Sequence, residues 1–99
     1  MITYEVTATV REDLRTRYEV YMRERHIDDV LATGLFLGAH FFRADDGRFR
    51  TRYEFADRGS LERYLTTHAP RLRADFVAHF PEGVALERDT WNLLLSWPH

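Results

Sequence analysis

The chain has no cysteine and no lysine, and only five glycines and three prolines among its 99 residues. Without cysteine there is no disulfide, no thiol nucleophile and no thiolate metal site. Without lysine all fourteen cations are arginine, whose planar guanidinium suits anion contacts. The formal net charge of −2 argues against a nucleic-acid module, which carries a strongly basic face. No apolar run approaches the ~20 residues that span a bilayer, and no signal peptide precedes the first apolar alternation. A cytoplasmic protein without membrane contact is therefore expected. Glycine-rich phosphate loops, G-x-S-x-G elbows and HExxH pairs are all missing, and no metal site is expected. Linkers, repeats and low-complexity segments are missing too.

What is present reads as a single globular domain over residues 1–99. A hydrophobic content of 44% with 14% aromatics is enough for a core. A chain of this size buries roughly 60–70% of its unfolded surface, so apolar surface is left over, and dimerisation would cover it.

Residues 2–10, "ITYEVTATV", alternate. Ile2, Tyr4, Val6, Ala8 and Val10 point one way and Thr3, Glu5, Thr7 and Thr9 the other, as in a half-buried strand. Residues 11–33 are charged and helical, with Leu14, Tyr18, Tyr21 and Met22 at helical spacing. The stripe then shifts to Ile27, Val30 and Leu31, which predicts a bend or a short second turn near His26–Asp28. Gly34 suits the residue after the helix end. Strands follow at 35–43 and 48–56. A three-residue loop, Asp45-Asp46-Gly47 with Gly47 left-handed, segregates their side chains better than a two-residue loop does. In that register Leu37, Ala39 and Phe41 sit with Phe55, Tyr53 and Thr51, while Phe36, His40 and Phe42 sit with Arg48, Arg50, Arg52 and Glu54. Residues 57–80 read as a helix with a break, Asp57 as its N-cap and Pro70 opening the second segment. A last strand starts at Val84 and loses its alternation before Trp97. The order βαββαβ predicts an α+β, ferredoxin-like sandwich, with antiparallel sheet order 4-1-3-2 and both helices on one face.

The stretch "YMRERHIDDVLATGLF" resembles a bacterial family of short proteins known as a domain of unknown function. Its pattern is Trp-Met…His-Ile-Pro-Glu-Val…Thr-Gly-x-Phe after a first strand Ile-x-Tyr/Phe-x-Val. Ile2, Tyr4, Val6, Met22, His26, Ile27, Val30, Thr33, Gly34 and Phe36 match it. Tyr21 stands where the family has Trp, and Asp28 where it often has Pro. The later "RYLTTHAPRLR" and the Ala85…Thr90 segment are similar as well. More distantly, the topology and the Gly-x-Phe helix end resemble the dimeric α/β-barrel superfamily. That group includes cofactor-independent monooxygenases of the antibiotic-biosynthesis type, haem-degrading enzymes and small isomerases. The resemblance implies a homodimer in which two open sheet faces pack together.

The open sheet face is expected to carry Thr3, Glu5, Thr7, Phe36, His40, Phe42, Arg50, Arg52 and Glu54. Phe36 and Phe42, with Trp91 and Trp97 from the C-terminal stretch, are the candidate interface residues. The run "NLLLSW" is too apolar to hang free and is expected to pack on its own or a second subunit. A cleft on this face would suit a small anionic or aromatic ligand, with Glu5, His40, Arg50, Arg52 and Tyr53 as candidate binding residues. His40 opposes Arg52, which favours a neutral ring, while Glu5 favours the charged one. His26 is the other candidate, either capping helix carbonyls near a C-terminus or binding the ligand. Tyr53 and Tyr64 fit the helix–sheet core. His68 and His79 are eleven apart, not a metal pair. The leading expectation is a ligand-binding or structural homodimer that needs no cofactor. The alternatives are a cofactor-independent oxygenase or isomerase using His40, Arg52 and Tyr53 or His26, and a haem protein using His40 or His26.

Overall fold

The N-terminal alternation forms strand β1 (Ile2–Val10) in the computed structural model, which describes residues 1–98. Ile2, Tyr4, Ala8 and Val10 are buried on one side, as the two-residue period requires. β1 pairs antiparallel with β3 (Phe49–Phe55) and with β4 (Val84–Asn92), and β2 (Gly38–Arg43) pairs antiparallel with β3. The resulting order, β2-β3-β1-β4, is the expected ferredoxin-like sheet, and the helices pack on one of its faces.

The β2–β3 hairpin has the longer loop. Ala44 N–H donates to the Arg48 carbonyl at 2.8 Å, and Gly47 sits at φ +89°. A Cβ there would lie 2.5 Å from the mobile Arg15 guanidinium, which could shift, so it is the left-handed backbone that calls for glycine. The register is the expected one, with Ala39 opposite Tyr53, His40 opposite Arg52 and Phe41 opposite Thr51.

β2 begins at Gly38 rather than at 35, and this corrects the placement of two side chains. Residues 35–37 are off the pleat, although Leu37 N–H still donates to the Glu54 carbonyl at 2.7 Å. Phe36 turns to the helix side, its ring centroid 4.3 Å from that of Phe55 and 4.9 Å from that of Tyr64. Leu37 is left 62% exposed. Alternation extrapolated back from the strand put them the other way round. The chain arrives from a helix end at left-handed Gly34 (φ +79°), and the larger aromatic takes the apolar space beside Phe55 and Tyr64.

The first helical stretch is broken into turns of different width. A 3₁₀ turn (Glu12–Leu14) leads into α1 (Arg15–Tyr21), a π turn (Met22–His26) and α2 (Ile27–Leu31). The shift of the apolar stripe between Met22 and Ile27 is thus absorbed by a wider turn and not by a chain end. His26 lies inside this continuous helix and makes no capping bond, which corrects the capping expectation. The second helical stretch is α3 (Arg58–Thr67) and α4 (Ala69–His79). The Asp57 carboxylate accepts from Ser60 N–H at 2.8 Å, and Pro70 stands in the first turn of α4.

Past β4, Leu93 N–H donates to the Met1 carbonyl at 3.0 Å. Trp97 is then 75% exposed. The leucines of this run, Leu93, Leu94 and Leu95, are 48%, 93% and 51% exposed, so the described residues of their own subunit leave much of their surface uncovered. No helix among the described residues is long and apolar enough to cross a membrane.

The helix-side core falls into two clusters. One gathers Ile2, Tyr4, Val30, Tyr53, Phe55, Leu61, Tyr64, Ala69 and Leu72. The other gathers Ala8, Val10, Tyr18, Tyr21, Met22, Phe49, Phe76 and Phe80. Thr51 is 1% exposed on this side, and its hydroxyl has no hydrogen-bond partner among the described residues. Such a buried, unpaired hydroxyl carries a desolvation cost. Thr51→Val keeps the shape and removes the hydroxyl, so we expect a gain of about 1 kcal/mol, read as a rise in Tm of about 4–8 °C. Asp57→Ala removes the α3 cap and is expected to cost about 1 kcal/mol in chemical denaturation.

Candidate functional site

Where the two clusters meet they do not close. A cavity of about 300 Å³ lies between the sheet and α4, at the lower end of small-molecule sites. Tyr4 and Val6 of β1, Tyr53 of β3, and Val84, Leu86 and Arg88 of β4 form its sheet wall. Tyr64, Leu72, Phe76 and Phe80 close it from the second helical stretch and its end, and Tyr18, Met22 and His26 from the first. Arg73, Val77, Pro81 and Arg88 also line it and are exposed, which places its mouth between α4 and β4.

The polar groups of this cavity are few and specific. Tyr4, Tyr53 and Tyr64 stand together, with ring centroids 6.4 Å apart for Tyr4–Tyr53 and for Tyr4–Tyr64. Burial pushes the Tyr64 phenol up to about 12 and Tyr53 well above its ordinary value, so both are neutral hydrogen-bonding groups at physiological pH. At the mouth, Arg73 Nη2 donates to the Tyr4 hydroxyl at 3.1 Å.

His26 is the imidazole on the helix wall. Burial lowers its pKa from the ordinary 6.5, and Asp29 and Asp75 oppose that shift without reversing it. The ring is stacked on Tyr21, with centroids 5.6 Å apart, and lies edge-on to Phe76 at 6.0 Å. Its Nδ1 is 3.4 Å from the Tyr21 hydroxyl, which in turn donates to Asp75 Oδ2 at 2.8 Å. Arg25 grips the same carboxylate through Nη2 to Oδ1 at 2.9 Å and Nε to Oδ2 at 3.2 Å. The Arg25 bond, then the Tyr21 bond, holds the Asp75 carboxyl below the usual carboxylate range. His79 completes the cluster. Its ring centroid is 4.7 Å from that of Tyr21, and its Nδ1 meets the Asp75 carbonyl at 2.8 Å.

The opposite sheet face carries most of the other sequence candidates. Arg52 Nε donates to Glu5 Oε2 at 3.0 Å, and the Arg52 guanidinium lies 5.5 Å from the Phe42 ring centre. His40 Nε2 is 3.5 Å from Glu54 Oε1. Thr3, Glu5, Arg50, Arg52 and Trp91 form a shallow depression. Phe42 and Trp91 are 45% and 57% exposed.

The candidates therefore divide between two faces. His26 and Tyr53 line the helix-side cavity, whereas Glu5, His40, Arg50 and Arg52 lie on the open face with Phe42 and Trp91. Phe36 is on neither surface, being packed against Tyr53, Phe55 and Tyr64. The deeper concavity within one chain lies beside His26 on the helix side, while the open face around Glu5, Arg50 and Arg52 holds the shallow depression. Tyr4 and Tyr21 are legible in the sequence as core positions but not as site residues, and Arg73, Asp75 and Arg88 carry no local signal at all. A signal for one contact was there: Tyr21 and His26 are five apart across the shift in the apolar stripe, the spacing a π turn closes. Among the described residues no group of three or more His, Asp or Glu is placed to hold a metal ion.

Solved structures share this architecture. SnoaB, a cofactor-independent oxygenase from Streptomyces nogalater, superposes with TM-score 0.76 at 13% identity, covering 99% of this chain and 97% of that one. An antibiotic biosynthesis monooxygenase gives TM-score 0.68 at 18% identity, covering 96% of this chain and 100% of that one. A dimeric ferredoxin-like protein from an uncultured marine organism gives 0.61 at 15% identity over 96% of each chain. At these identities the likeness is one of fold. No curated protein matches the chain in sequence. A family model does match, over residues 1–93, which takes in every strand and helix described above and the whole of the cavity wall. The chain belongs to that family, DUF4286, a domain of unknown function.

Proposed function

We propose that the protein is a homodimer that binds a small, largely aromatic molecule in the cavity between the sheet and α4. The observation that carries this reading is the cavity itself: about 300 Å³ left open between two packed clusters. The rings of Tyr4, Tyr18, Tyr53, Tyr64, Phe76 and Phe80 stand among aliphatic side chains in the wall and favour a flat apolar ligand by burial and stacking. The hydroxyls of Tyr4, Tyr53 and Tyr64, with His26, supply orientation. Arg73 and Arg88 at the mouth suit an acidic or carbonyl substituent.

A second, enzymatic reading is favoured by the solved neighbours, among them a protein described as a cofactor-independent oxygenase. In this reading His26 is the proton acceptor, since a ring that is neutral near pH 7 is competent as a base. Haem binding is the remaining alternative from the sequence. A titration with haem is expected to leave the Soret band unshifted, and a shift would favour that alternative.

The dimer part of the reading rests on the open face. Phe42 and Trp91 are exposed beside the Glu5–Arg52 pair, and Leu93, Leu94 and Leu95 extend the apolar surface beyond β4. One solved neighbour of the same fold is described as dimeric. Sedimentation at tens of micromolar, roughly the level at which a specific interface is populated, should give twice the chain mass. Phe42→Asp should give a monomer.

Two further outcomes test the cavity. Titration calorimetry with 2-naphthol should show saturable binding, and Leu86→Trp, which fills the cavity from β4, should weaken it by about tenfold or more while unfolding stays cooperative. The depressed His26 pKa also makes stability depend on pH. The unfolded chain takes up the proton first as pH falls through 6.5, so stability should fall as pH drops below that value and level off once folded His26 is protonated. Denaturation curves across that range should flatten in His26→Gln.

A further inference from the structure

We propose that Tyr21 and Asp75 set the tautomer of His26, leaving its Nε2 as a bare acceptor for a ligand that carries an acidic hydroxyl, a phenol or an enol. The ligand half of this inference rests on the cavity reading above. The positioning half rests on hydrogen-bond directions alone.

The directions follow from counting protons. Arg25 has only donors to offer, and its two bonds to Asp75 engage both carboxylate oxygens, so Asp75 is an ionised acceptor. The Tyr21 hydroxyl lies 2.8 Å from Asp75 Oδ2 and must spend its single proton there. Its oxygen then faces His26 Nδ1, 3.4 Å away, with only lone pairs. In a neutral imidazole one nitrogen bears the proton and the other does not. A proton on Nδ1 lets it donate to Tyr21, whereas a bare Nδ1 would set two lone pairs against each other. Nδ1–H is therefore the favoured form, and Nε2 keeps its lone pair.

The geometry that permits this is local to the π turn. It begins one residue after Tyr21 and ends at His26, so two residues five apart come into ring contact. Asp75 reaches them from α4, the helix that also walls the cavity. No described residue bonds Nε2, and His26 itself lines the cavity. The nitrogen left free is thus the one to meet what the cavity holds. A ligand hydroxyl can donate to it, and an ether at the same place cannot. Phe76 packs against both the His26 and Tyr21 rings. Tyr21 and Asp75 are positioning residues here; neither is asked to touch the ligand.

Two measurements test the halves separately. Long-range ¹H–¹⁵N spectra of histidine-labelled protein, taken well above the His26 pKa, should show His26 with Nδ1 protonated and Nε2 bare. Tyr21→Phe and Asp75→Asn should each move it toward the Nε2–H form that predominates in water. An Nε2–H form in the unsubstituted protein would overturn the positioning claim. Calorimetry with 2-naphthol and 2-methoxynaphthalene then reads the ligand class. We expect 2-naphthol to bind about tenfold tighter, with that preference falling to near parity in Tyr21→Phe and in Asp75→Asn. Equal affinity in the unsubstituted protein overturns the acidic-hydroxyl claim and leaves the cavity reading standing. Binding of neither compound overturns the cavity reading itself, and with it the ligand half.

Discussion

β1 lies between β3 and β4, so each of its residues from Thr3 to Ala8 commits a row of residues, one from every strand, to a single face of the sheet. The Tyr4 row runs Ala39, Tyr53, Tyr4, Thr90, and the Val6 row runs Phe41, Thr51, Val6, Arg88. Both point to the helices. The Glu5 row runs His40, Arg52, Glu5, Asp89 and points away. A slip of one residue would exchange these sets and put charge under the helices. The separation of an aromatic cavity on one face from an ion-paired surface on the other thus follows from the register of one central strand.

The helical layer has its own constraint. It must cover the sheet with two helical stretches, and both are interrupted, one by a π turn at Met22–His26 and the other between Thr67 and Ala69. Neither stretch lays a straight apolar stripe along the sheet. The core condenses at two ends, and a gap remains along the seam. The π turn carries a second role, because it turns His26 and Tyr21 toward one another and toward Asp75. The same irregularity that prevents continuous packing equips the gap with a titratable group.

Much of the architecture could be read from particular residues. Alternation at 2–10, the Asp57 cap, Pro70 and the hairpin glycine each state a local rule that the fold obeys. Segregating charge from apolar surface selects the three-residue hairpin loop, and the structure has that register. Reading failed at Phe36, because alternation says nothing about where a strand begins. It failed again for the cavity. Tyr4, Tyr53 and Tyr64 were legible as core, but whether core side chains meet or leave a gap depends on helix placement that periodicity does not encode. Tyr21, Asp75 and Arg25 are joined by contacts spanning up to 54 positions in sequence, beyond the reach of any local pattern.

The division between faces also sorts the chromophores. All five tyrosines are between 1% and 7% exposed on the helix side, while the two tryptophans, Trp91 and Trp97, are more than half exposed at the far edge and beyond it. Indole emission therefore reports the open face and the tail, and tyrosine emission reports the core and the cavity wall. One spectrum contains two spatially separate probes. Their coincidence or divergence during denaturation is an internal check on whether the sheet surface and the core come apart in one step.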